Sequence, residues 1–237
     1  MQEFFSGFGA VCLYYVIFAS IALISRVFIK IPDEIFRKIL HFILIGSFPV
    51  YLYAFESWWI SALAALIFAV IVFPVLFFFE RFKKYSEFVT ERKKGELKSS
   101  LLLVFSMFAI VISVCVGIFS DRYIALASIL AWGIGDAFAA LIGKKFGKHK
   151  INAKHTDGKK SIEGTFSMFI CAVLSVLVVL ISRGGISPIG YVIIPLITGV
   201  VSATAELYCK NGVDTFVCPV SSMITIIPLT FIFGGVL

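Results

Sequence analysis

The sequence predicts an all-α fold, a polytopic membrane helical bundle of about eight transmembrane helices, and three observations carry that prediction. Sixty per cent of the 237 residues are hydrophobic and only 15% are charged; the mean hydropathy of +1.02 lies well outside the range of an ordinary soluble domain. Apolar stretches near or above the roughly 18 residues needed to cross a bilayer recur along the chain. The basic residues alternate with them: of 21 Lys and Arg, 19 lie at or after the ends of the first, third, fifth and seventh stretches, and only Arg122 and Arg183 fall elsewhere.

Taken in order, the spans are about Phe4–Ile29, Ile39–Ala54, Trp58–Phe79, Leu101–Phe119, Tyr123–Gly143, Ser161–Ile181, Gly190–Tyr208 and Thr215–Val236. The first is too long and wrongly flanked for a cleaved signal peptide and reads as a retained helix. The second is the shortest and carries His41 and Pro49, so seven spans is the competing count. Removing it would scatter the basic loops to both sides. The short connections leave no room for a soluble domain, which predicts one integral membrane domain over residues 1–237. By the positive-inside rule the basic loops face the cytoplasm and both termini lie on the far side. The membrane is the plasma membrane in a prokaryote and the endoplasmic reticulum in a eukaryote.

The net charge of +7 does not indicate a nucleic-acid partner, because the basic residues are divided among juxtamembrane loops with no readout motif beside them. Anionic headgroups or a nucleotide triphosphate suit them better. Five cysteines, at 12, 115, 171, 209 and 218, show no CxxC spacing and read as buried, inert thiols. No internal repeat is evident. The connection Glu80–Ser100 mixes charge signs and reads as a solvated, partly helical link, except that Gly95–Lys98 abuts the fourth span and could edge a site.

The chemistry concentrates between Trp132 and Thr165. Asp136 lies about seven residues, or roughly 10 Å of helix, before the end of the fifth span. Ala140 and Gly143 follow on its face at i+4 and i+7. Such a stripe packs helices, with the acid paired to a base on another span, or it leaves room for a ligand; ionisable groups at membrane depth usually mark a site. The connection Lys144–Lys160 then interleaves Gly147 and Gly158 with seven lysines, among them Lys159 and Lys160. Glycine lets backbone N–H groups approach phosphate while lysine neutralises it. A P-loop is excluded: Gly158-Lys159-Lys160-Ser161 has Ala153 where the earlier glycine belongs, and no strand precedes it.

Ser161 reads as the N-cap of the sixth span with Glu163 in its first turn, a placement that stabilises the helix by about 0.3–1 kcal/mol. Alternatively, Glu163 and Asp136, from spans flanking one loop, share a Mg2+ ion, which needs only one or two carboxylates beside substrate phosphates. Glu206 sits near the end of the seventh span. Asp214, just before the eighth, divides between turn chemistry and function. Arg37 and His41 share a face at i, i+4 with Lys38 beside them, a pattern of headgroup snorkelling or of a site.

These residues together resemble the CTP-dependent lipid-alcohol kinases, the family of dolichol kinase, phytol kinase and CTP-dependent diacylglycerol kinase. The resemblance rests on Asp136, Ala140, Gly143 and Gly147; on G-K-H-K and G-K-K-S-I-E-G-T at 147–150 and 158–165; on Arg37, Lys38 and His41; and on Glu206 with G-V-D-T-F-V-C-P at 212–219. The phosphatidate cytidylyltransferases share the central motif and are the rival, but the chain lacks their KD…PGHGG…DR.D ending. It departs from the kinases at Thr215, where they read asparagine.

The resemblance implies that CTP donates its γ-phosphoryl group to the hydroxyl of a membrane lipid alcohol, with Mg2+ as cofactor. It implies phosphate and nucleotide contacts from Gly143, Gly147, Lys159, Lys160, Ser161, Glu206 and Asp214. It places metal ligation on Asp136 and Glu163, with Asp136 also a candidate base, and phosphate or transferring charge on Arg37 and Lys38, joined by His41. A reading from another class is a transporter using Asp136 and Glu206 as an ion relay, which explains the acids but not the Gly/Lys loop.

Overall fold

A computed structural model describes residues 1–81, 95–151, 160–209 and 212–234. All regular structure among them is helical: α1 Gln2–Phe28, α2 Asp33–Gly46, α3 Phe48–Tyr53, α4 Trp58–Phe79, α5 Glu96–Val111 continued by a π-helical stretch Ile112–Ile118, α6 Arg122–Phe146, α7 Ile162–Arg183, α8 Gly190–Tyr208 and α9 Asp214–Phe233. Eight of the spans they form are long and apolar enough to cross a membrane, with Asp33–Tyr53 counted as one. The eight-span expectation is met.

Two boundaries differ from the sequence reading. The second span begins at Asp33 rather than Ile39, because Asp33 and Glu34 occupy the first turn of α2, where acids oppose the positive end of the helix dipole. It also breaks at Ser47. Pro49 lacks the N–H that would continue the ladder and its ring clashes with the carbonyl four residues back, so α3 restarts with proline in its first turn. The fourth span begins at Glu96, with Gly95 at φ 80° as its N-cap. There Lys98 bonds Glu80 at 2.7 Å, closing the two ends of the second connection against each other.

The chain divides into two compact units, Met1–Ile118 and Phe119–Leu237. The core of the first is aromatic: Phe48 and Phe108 ring centroids are 4.7 Å apart, Phe68 and Phe105 5.0 Å, Tyr15 and Phe68 4.8 Å. Glu3 on α1 caps α4 by accepting from the Glu56 and Ser57 N–H groups at 2.9 and 2.7 Å. Such a carboxylate satisfies donors that every helix start leaves open.

In the second unit α6 is the hub, packing on α7, α8 and α9. Its buried positions are mostly small, among them Ala125, Ala131, Gly133, Gly135, Ala137 and Ala139. In hydrocarbon, where lipid tails are as apolar as leucine, close backbone approach rather than hydrophobicity drives helix association, and small residues permit it. A side chain at Gly135 would run into Met168 of α7. At the N-terminal end of α6, Asp121 accepts from the Tyr123 and Ile124 N–H groups and pairs with Arg183 of α7 at 2.6 Å.

Candidate active site

The site-bearing end of the second unit is built where α6 stops and α7 starts. Gly147 ends α6, its N–H bonding the Gly143 carbonyl at 3.1 Å. The chain then pairs with itself. Ile151 N–H donates to the Lys160 carbonyl and Ile162 N–H to the His149 carbonyl, both at 3.0 Å, forming an antiparallel bridge between Lys150 and Ser161. The segment 152–159, which contains the expected phosphate ligand Lys159, lies outside the described residues.

Glu163 holds this two-stranded neck on the helix. Its Oε1 accepts from the Lys148 N–H at 3.1 Å, the His149 N–H at 3.2 Å and His149 Nδ1 at 2.7 Å, while Oε2 takes a long contact of 3.4 Å from the His149 N–H. Ser161 is the N-cap expected of it, accepting from Gly164 N–H at 3.2 Å. A carboxylate in the first turn and a serine cap together satisfy N–H groups that the start of α7 and the neck would otherwise leave open.

Gly143 and Gly147 serve close packing. A Cβ built at Gly147 would lie 2.9 Å from Ser161 Cβ, and one at Gly143 3.2 Å from Ser161 Oγ. Gly164 completes the crossing, since a Cβ there would stand 2.9 Å from the Ala139 carbonyl oxygen. The phosphate role expected of the two loop-side glycines therefore has a second physical reason beside it, the approach of α6 to α7.

Lys160 crosses from the neck to α8. Its Nζ pairs with Glu206 Oε1 at 2.9 Å and also donates to the Glu206 carbonyl and, at 3.3 Å, to the Cys209 carbonyl. A cation over the last carbonyls of a helix is favoured by the dipole. Glu206 is only 7% exposed, so Lys160 offsets the cost of burying its charge. Asp136 from α6 and Asp214 from α9 act electrostatically on the same carboxylate. Asp214 itself starts α9, with its Oδ1 accepting from Thr215 N–H at 3.0 Å. Three helices and the neck thus bring Asp136, Lys160, Glu206 and Asp214 to one region, and Asp136 is half-buried there.

Arg37, Lys38 and His41 lie in the first unit, on α2. Arg37 bonds Glu34 at 3.3 Å within one helix turn, and Lys38 is 6% exposed. Sequence reasoning missed three participants: His149, whose ring bonds Glu163; Gly164, which sets the helix crossing; and the Cys209 carbonyl that receives Lys160. Gly164 carried a signal, since it falls within the G-K-K-S-I-E-G-T run. His149 likewise falls within the G-K-H-K run, but its bond to Glu163 and the contact at the Cys209 carbonyl are not encoded by spacing.

Among the described residues no group of three or more His, Cys, Asp and Glu side chains is placed to hold a metal ion. The donors present fit a different arrangement. Mg2+ that arrives with a nucleotide takes most of its ligands from phosphate and water and needs one or two protein carboxylates. The carboxylates of Asp136 and Glu163 are oxygen donors of that kind.

The fold and this region define a multi-span α-helical protein with ionisable residues gathered at the ends of its second-unit helices. No family model matches the chain, and no solved structure matches it. Among curated proteins it is similar to a phytol kinase from Synechocystis sp., 29% identical over 208 residues, which cover 81% of this chain and 77% of that protein. The resemblance to lipid-alcohol kinases drawn from the motifs is borne out by this relative, and it supports a kinase.

Proposed function

We propose that the protein is a CTP-dependent kinase that transfers the γ-phosphoryl group to the hydroxyl of a membrane lipid alcohol at the cytoplasmic face. The acceptor class comprises polyprenols and dolichol, phytol, and diacylglycerol. The similarity to a phytol kinase makes phytol the first acceptor to try. The observation that carries the reading is the convergence of Asp136, Lys160, Glu206 and Asp214 beside the Gly/Lys connection, at the basic ends of apolar helices.

Phosphoryl transfer asks a protein to position two oxygens in line and to neutralise charge, with little covalent chemistry of its own. Lys159 and Lys160, with the loop backbone and Ser161, serve the phosphates. Lys160 moves from its pairing with Glu206 toward the incoming phosphate charge, and Glu206 holds it in place until then. Asp136 and Glu163 would hold Mg2+, which would supply neutralisation of phosphate charge. Asp136, a half-buried acid within a membrane-spanning helix, is also our candidate for the carboxylate that accepts the hydroxyl proton. The alcohol oxygen then bonds Pγ, the Pγ–O bond to the β-phosphate breaks, and CDP leaves. Both roles of Asp136 require its charge. Arg37 and Lys38 are assigned to phosphate by the family resemblance, with His41 beside them, and substitution tests each.

The reading is tested by assaying the purified protein with Mg2+, CTP or ATP, and a panel of phytol, shorter prenols, dolichol and diacylglycerol. Phosphorylation of one alcohol class, with CTP preferred, is the expected result. Absence of any nucleotide binding would revive the ion-relay reading.

A further inference from the structure

The second span is interrupted where it lies against α1, and two tyrosines of α1 close the interruption. Pro49 offers no N–H to the Ile45 carbonyl, and the Ser47 N–H is shared between the carbonyls of Ile43 and Leu44 at 3.1 and 3.2 Å. Within hydrocarbon such backbone groups have no water to turn to, so a broken helix persists only where neighbouring groups satisfy it. Here Tyr14 OH donates to the Ile43 carbonyl at 2.8 Å, Tyr15 OH donates to Ser47 Oγ at 2.7 Å, and Ser47 Oγ donates in turn to the Leu44 carbonyl at 2.6 Å. Gly46 leaves the room: a Cβ there would stand 2.5 Å from the Tyr14 hydroxyl oxygen.

The two halves of the span are held differently. α3 is set in the aromatic core, with Phe48 and Tyr51 fully buried and the Tyr51 carbonyl bonded by Ser61 Oγ of α4 at 2.6 Å. α2 is held against α1 at both of its ends. At its start Arg26 of α1 pairs with Asp33 at 2.9 Å and lies 4.3 Å over the Phe36 ring; at its other end, about three turns further on, stand the tyrosine bonds. Arg37, Lys38 and His41 occupy the stretch between. Hinges form at element ends, so α2 is an arm hinged at Ser47 whose pose is set by α1.

We propose that Tyr14 and Tyr15 are positioning residues for the α2 arm, fixing, through the Ile43 carbonyl and Ser47, the place at which Arg37 and Lys38 meet phosphate. The part that concerns phosphate rests on the kinase reading; the hold on α2 does not. Both tyrosines act through the hinge rather than on substrate. Their rings are packed independently of their hydroxyls, Tyr14 against Phe18 with centroids 4.6 Å apart and Tyr15 against Phe68 at 4.8 Å. Exchange for phenylalanine therefore loosens the arm without emptying the core. Lys38, only 6% exposed, reports the pose of the arm, because a tilt at Ser47 brings its amine out of cover.

Tyr14→Phe, Tyr15→Phe and the double variant are compared with the parent as full-length protein in detergent. Each is treated briefly with an amine-acylating reagent, and acylation of Lys38 is read by mass spectrometry against that of the exposed Lys148. Lys38 should be acylated at least about fivefold faster in the double variant, and the KM for CTP should rise about fivefold while kcat changes by less than about twofold. The single variants should move both readouts in the same direction by less. Ser47→Ala should also raise the KM, and adding Tyr15→Phe to it should change nothing further, since the two substitutions break one bond. Unchanged Lys38 acylation overturns the hold on α2; faster acylation with an unchanged KM, or a lowered melting temperature as the sole change, overturns the positioning role. A parent protein with no turnover contradicts the kinase reading, while acylation of Lys38 still decides the hold.

Discussion

The two ends of the α6–α7 hairpin each hold a buried pair of opposite charge, and they are built differently. At the start of α6 Asp121 meets Arg183 at 2.6 Å, with side chains 9% and 5% exposed. Asp121 also caps two N–H groups, and Arg183 donates to the Gly184 carbonyl at 3.2 Å. Acid and base match one to one. At the other end Lys160 meets Glu206 at 2.9 Å, but Asp136 and Asp214 act on the same carboxylate, and a lysine-rich connection lies alongside. One end is a closed clamp; the other is a cluster whose charges can be redistributed when a charged ligand enters. The same residue types are matched one to one at one end and share one place at the other, where we propose that they serve function.

Substitutions can break or sharpen that contrast. The largest effect is expected from Asp136→Asn, which should lower CTP-dependent lipid phosphorylation by at least about 100-fold, corresponding to roughly 2.7 kcal/mol of transition-state stabilisation. Membrane insertion and melting temperature should stay near those of the parent; retained turnover would remove Asp136 from the chemistry. Arg183→Ala should act in the opposite sense. Leaving Asp121 buried without its base costs about 3–5 kcal/mol of stability, read by thermal unfolding in detergent, while turnover per folded molecule is kept.

Glu206→Gln tests whether the cluster behaves as a clamp or as a site. It leaves the side chain's size and removes the charge that holds Lys160. We expect a several-fold change in the KM for CTP with a modest loss of stability. A collapse in stability with unchanged kinetics would make this end a second clamp. Gly164→Ala should destabilise by about 1–3 kcal/mol through overpacking against the Ala139 carbonyl. Ser161→Ala, losing a cap, should cost about 1 kcal/mol; melting curves order the two.

The all-α class and eight spans were legible because hydropathy and length act locally, and both are written residue by residue. Their edges were less so. Asp33, Glu34 and Glu96 look like loop residues to a hydropathy reading, yet they belong to helices because the first turn tolerates acids and a polar interface. The break at Ser47 follows from Pro49, which was visible, but the π-helical stretch Ile112–Ile118 has no signature in so uniform an apolar run. At the candidate site, Asp136 and Glu206 stood out because ionisable groups are costly at membrane depth, and Lys160 because it belongs to a Gly/Lys-rich connection. The partnership of Lys160 with Glu206, 46 positions apart, did not, and neither did the bond between His149 and Glu163. Gly143 and Gly147 were conspicuous for phosphate, while their tight approach to Ser161 emerges only once α6 and α7 are packed.

The central claim is that the second-unit cluster directs γ-phosphoryl transfer from CTP to a lipid hydroxyl. The most direct measurement supplies purified protein, Mg2+ and the lipid panel with CTP labelled at either the γ- or the α-phosphorus and follows label into the lipid phase. Label from the γ position alone is the predicted result. Label from the α position would mean transfer of a cytidylyl group instead, and would contradict the account.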